Sequence, residues 1–425
     1  APTGGTTTLD GGVAQQITGV GVFANVAIVG GGSKTAVGLS ATGAVDVGAG
    51  GALVAAGAFV VGGDLSVDAA ATFDDGGFDV AVGGDLTLPA AAALAGTTIF
   101  DGASPATVAF AGAFQNVRIA KSGGAAVAFG GATSVLGFLD VQSGVATAAS
   151  LDVDGATTVA GGAALGVSGA TTLGGDLTVV GAFTVGGSLT FDGGVAVASA
   201  ASLPGFTVAK PGASLTVGST IVTGAVSIQS GSLIAAGALD VAGSFTSNPA
   251  ATFDAGAFVH DFRASALLDG TTTASGVFRF SAPAAGLFAP TITARCASGF
   301  PDVAVAAPGR VVGFGSSGSA AINGAFTASS GTAAWFGPTT VAGAATISGG
   351  TLFVSAASSV GLALVQTSGS STFSAPTSLL GGATFSGGTF VASAQVTIAG
   401  PTVFNGGVAT GAASIRALGD WTSGG

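Results

Sequence analysis

Glycines recur every 19 residues along the C-terminal third of this chain. Gly331, Gly350, Gly369, Gly388 and Gly407 form one column. Gly343, Gly361, Gly381, Gly400 and Gly419 form a second, about 7 residues ahead of the first. The middle of the chain repeats the arrangement with Gly187, Gly205, Gly224 and Gly243, and with Gly194, Gly212 and Gly231 offset by 7. Neighbouring residues agree: Ile347-Ser348-Gly349-Gly350, Phe385-Ser386-Gly387-Gly388 and Phe404-Asn405-Gly406-Gly407. A fixed period of this length marks a stacked repeat, in which one unit cannot bury its inner side alone.

Between the glycines, apolar residues alternate with small polar ones. Leu177, Val179, Phe183, Val185, Leu189 and Phe191 share one phase. Period 2 with β-branched residues is the half-buried strand signal, and glycine pairs supply tight corners. The expected fold is all-β: a single-stranded β-solenoid (β-helix) of about 19 residues per rung and roughly 22 rungs, one continuous domain over residues 1–425. At about 4.8 Å per rung it would run on the order of 100 Å. Within it, 257–310 is less regular, because the glycine columns fade there.

Composition narrows the function. Charged residues are 7% of the chain, with 9 Lys and Arg against 20 acids, all Asp, for a net charge of −11. A nucleic-acid partner is excluded, since phosphate binding needs clustered basic residues. The single Cys296 rules out a disulfide framework. Glu, Met and Tyr are missing, which removes favoured surface residues of helices. Mean hydropathy is +0.75, yet no apolar run approaches the roughly 20 residues of a membrane-spanning helix. Disorder is excluded by 28 Phe and abundant Val, Thr and Leu. The chain begins Ala-Pro-Thr-Gly-Gly rather than with Met, as expected of an extracellular or cell-surface protein after signal-peptide removal.

Residues able to do chemistry are few. Asp64, Asp85 and Asp176 follow glycine pairs and read as turn caps. Asp74-Asp75 and Asp152-Val153-Asp154 could touch a cation, but neither matches a calcium loop. His260 beside Asp261, with Cys296 distant, makes a nucleophile pair only on paper. No catalytic, cofactor-binding or metal residue is expected. The 257–310 stretch holds the only His, the only Cys and four of the six Arg: Arg263, Arg279, Arg295 and Arg310, spaced 16, 16 and 15. One reading is a run of shorter or distorted rungs whose arginines pair with Asp261, Asp269 and Asp302. The other is a lateral contact surface. Two hydroxyl columns share the 19-residue spacing: Thr332, Thr351, Ser370 and Thr389, and Thr340, Ser359, Ser378 and Thr397.

The segments Ala71-Thr72-Phe73-Asp74-Asp75-Gly76-Gly77, Gly83-Gly84-Asp85-Leu86-Thr87-Leu88, Gly175-Asp176-Leu177-Thr178-Val179 and Gly419-Asp420-Trp421-Thr422 resemble the glycine-rich repeats of bacterial secreted β-helix surface proteins. Those include adhesins, autotransporter passengers and extracellular filament subunits. The resemblance covers most of the chain and implies a secreted surface role. The expected function is a non-enzymatic extracellular structural protein, a subunit of a self-assembling filament or surface layer. It would pack end to end and laterally with other copies of itself, without a cofactor. The alternative is a surface adhesin, or an ice- or polysaccharide-binding solenoid that uses the Thr332 column as its face.

Overall fold

Alternation becomes structure in the short strands. Thr377–Leu379 and Val396–Ile398 each bury their first and third residues and turn the middle one outward. Phe326–Trp335 is longer because it bends at 329–331 and continues along a second side. With Thr339–Val341, each coil in this part of the chain therefore has three straight segments. Every residue then meets its counterpart one coil on. Phe326, Ala345, Leu364, Ala383, Thr402 and Trp421 lie in register, each step being 19 residues.

These features come from a computed structural model that describes residues 4–18, 21–281, 291–316 and 318–424. The described residues form an all-β solenoid of stacked parallel coils, about 21 turns spaced about 19 residues apart, with no helix. No helix is long and apolar enough to cross a membrane. Ala1 and Gly425, the first and last residues of the expected solenoid, lie outside the described residues.

The chain divides into two compact units, Ala1–Ala201 and Ser202–Gly425. Their charges differ sharply. The first carries 14 Asp against Lys34, Lys121 and Arg118, a net of −11; the second carries six Asp against Lys210 and five Arg, a net of 0. Each core is a column of inward residues. In the first unit Leu139, Thr157 and Leu177 stack coil on coil; in the second, Phe245 stacks on Val226 and Ala266 on Phe245.

The two glycine columns serve different ends. Gly331, with φ of 74°, turns the chain through a conformation that L side chains avoid. Gly343 has no positive φ; there a Cβ would lie 2.6 Å from the Gly324 carbonyl oxygen, because successive corners stack backbone on backbone.

Across 257–310 the coil step is uneven: Asp261 pairs with Arg279, 18 residues on, while other coils are longer. Arg279 pairs with Ala304, 25 residues on, and Leu267 with Arg295, 28 on. Part of the added length, 282–290, lies outside the described residues. The core here is filled with aromatics. Phe245, Phe262, Phe278, Phe300, Phe314, Phe326 and Trp335 touch in sequence, with ring centroids 5.3–6.3 Å apart. Most are edge-on, the favoured geometry for aromatic pairs. The glycine period fades where a ring stack takes over the packing.

Candidate functional site

The aspartates expected to cap turns act between coils instead. Asp64 accepts a hydrogen bond from the Asp85 amide at 2.8 Å, Asp85 from Thr107 at 2.6 Å, and Asp176 from Val197 at 2.8 Å. Asp302 does the same for Ala325 at 2.7 Å, and Asn25 for Ala44 at 2.8 Å. Each follows a corner, where the backbone ladder is interrupted and an amide of the next coil would otherwise lack an acceptor.

Asp75 goes further. It is fully buried and accepts from Gly77 (2.8 Å), Ala95 (2.9 Å) and Gly96 (2.9 Å). Asp74 accepts from Gly76 at 2.8 Å. The Asp74-Asp75 oxygens are thus engaged with amides. The other candidate cation pair differs. Asp152 is held above the usual carboxylate range by burial and by the neighbouring Asp154 and Asp192 carboxylates. Among the described residues, no group of three or more His, Cys or Asp side chains could hold a metal ion.

His260 and Cys296 are not brought together. His260 pairs with Phe278 on one strand column and Cys296 with Leu268 on another. The His260 ring is fully buried between Phe253 and Phe278. Its Nδ1 accepts from the Leu239 amide at 3.2 Å, which places the proton on Nε2, the donor to the Ala255 carbonyl at 2.7 Å. Burial lowers its pKa, opposed by the Ala255 bond. A neutral ring satisfies both contacts. Burial pushes the Cys296 thiol up, and the thiol donates to the Gly299 carbonyl at 3.1 Å.

The arginines do not form one ladder. Arg279 lies in the outward column Asp240–Asp261–Arg279 and grips Asp261 through Nε (3.1 Å) and Nη2 (2.6 Å). Arg263 pairs with Asp240, not with one of the aspartates expected from the sequence. Arg295 pairs with Asp269 in a different column. Arg310 sits half-buried beyond a positive-φ corner at Gly309. The even spacing of 16 therefore does not correspond to the coil step, which is 18 from Asp261 to Arg279.

The hydroxyl columns do follow the register. Thr332, Thr351, Ser370 and Thr389 stack in order, with Ser370 bonded to Thr351 at 3.1 Å. The column is bounded by Val311 and Val408. Thr340, Ser359, Ser378 and Thr397 form the second outward column, which Arg416 extends.

Sequence reasoning passed over the lysines. All three, Lys34, Lys121 and Lys210, are fully buried. Lys34 donates to the Gly11 and Val13 carbonyls at 2.6 and 3.1 Å. Lys121 reaches past one coil to the Gly83 carbonyl at 2.5 Å. Burial lowers the Lys121 pKa against the attraction of Asp101 and Asp85. The signal was in the phase: Val117, Ile119 and Lys121, and likewise Phe206, Val208 and Lys210, share one inward alternation.

Most polar side chains discussed above are thus engaged in joining one coil to the next. Comparison of the chain with protein-family models, curated proteins and solved structures finds no match to any of them.

Proposed function

We propose that this chain is a non-enzymatic structural protein of the cell exterior, a subunit that packs against other copies of itself in a filament or surface layer. One observation carries the reading: many of the groups that could do chemistry are spent on bonds that hold the coils together. Asp75, Asp85 and Asp302 cap amides, Arg279 and Arg295 pair with aspartates, and the Lys121 and His260 side chains hold backbone groups. Long stretches of the outside are left to Ser, Thr, Ala, Val and Leu. The likeness of the glycine-rich coils to those of secreted bacterial surface proteins supports the location. Negative-stain images of the concentrated purified chain test the role. Ordered assemblies are expected, and a field of separate single chains at every concentration contradicts it.

A second reading rests on the Thr332–Thr351–Ser370–Thr389 column, whose registered hydroxyls suit an ice or polysaccharide surface. Thermal hysteresis, or retention on a glycan array that Thr351→Val abolishes, would favour it.

A further inference from the structure

From Val311 through Ile415 the chain contains no charged or ionisable side chain. This covers more than five coils of the second unit, whereas about a quarter of the residues of an ordinary globular domain are charged. One corner of the same coils carries exposed leucines. Leu362 is 58% exposed and Leu380 55%. They lie one coil apart at neighbouring positions of that corner: Val360 registers with Leu379, which places Leu380 beside Gly361 and Gly381 beside Leu362. The Leu362 amide donates to the Gly343 carbonyl and the Gly381 amide to that of Leu362, while the Leu380 amide donates to the Val360 carbonyl. Flanking them on one side is the column Thr340, Ser359, Ser378 and Thr397, and on the other Thr346, Val365, Thr384 and Val403, all uncharged.

We infer that this leucine corner and its uncharged flanks form the surface through which one copy packs on another, second unit against second unit. The inference rests on the proposed structural role and names where the contact lies. The partner is a second copy because the charge is segregated. Two first units at −11 each repel, and two second units at 0 do not. A strongly charged partner would find no opposite charge between Val311 and Ile415, whereas the same surface on another copy meets it with apolar and hydroxyl groups alone. Clustered exposed apolar side chains of this kind mark association sites. Arg263, Arg279 and Arg295, already paired within the chain, lie outside this stretch.

Light scattering on the full chain across a concentration series tests this, in low and in high salt. The wild type is expected to associate, with a midpoint that does not weaken as salt rises. Leu380→Asp should raise the midpoint concentration by about tenfold or more, from lost apolar burial and an introduced charge. Leu136→Asp, at an exposed corner of the first unit, should leave it unchanged. Circular dichroism verifies folding, and Leu362→Gln serves as a milder second variant. If the wild type associates and both leucine variants match it, the leucine corner is wrong while self-assembly stands. Dissociation of the wild type by salt would likewise overturn the corner, pointing to ion pairs. A wild type that never associates overturns the structural role as well.

Discussion

Single residues in this chain act as fasteners between coils, and Asp75 is the clearest. Its carboxylate serves three backbone amides, two of them in the following coil. Asp75→Ala would leave these donors buried without an acceptor and should cost about 2–4 kcal/mol in chemical denaturation. Asp75→Asn keeps one accepting oxygen and should fall between. His260 makes a pH prediction. Burial holds its folded pKa below the ordinary value, so the unfolded chain takes up a proton first as pH falls. Its contribution is full above about pH 6.5 and is lost as pH drops through the window below. His260→Gln should flatten that part of the stability–pH curve relative to wild type. The buried lysines show what residue-level reading misses. A lone Lys reads as surface by type, and only its phase with Val117 and Ile119 reveals that it points inward.

At the scale of the element, the corner sets the tolerance. Gly212 and Gly331 share a φ of 74°, but around Gly212 a Cβ would meet nothing, whereas at Gly331 it would strike the Ala307 carbonyl. Gly212→Ala should therefore cost about 1–2 kcal/mol, the strain of the left-handed conformation alone. Gly331→Ala should cost clearly more, read from the thermal midpoints of the two variants. The hydroxyl columns were legible because their spacing equals the coil step of 19. The arginine grouping was not, because its spacing of 16 falls among coils with steps of 18, 25 and 28. Once loops lengthen, sequence distance no longer reports the column. The ring stack from Phe245 to Trp335 was hidden for the same reason: its members have no constant period.

For the molecule as a whole, the period and alternation were enough to read an all-β solenoid, since both describe local geometry that repeats. The division of charge became visible only when the chain separated at Ala201 and Ser202. That division orders the expected behaviour, with a repulsive first unit and a neutral second unit that offers leucines and hydroxyls. The proposed surface, from Val311 to Ile415, has no titratable side chain, so association through it should be level across neutral pH. Sedimentation velocity on the purified full chain over a rising concentration series tests the structural role most directly. The sedimentation coefficient is predicted to climb with concentration in both low and high salt. One unchanging species of single-chain mass at the highest concentration would contradict it.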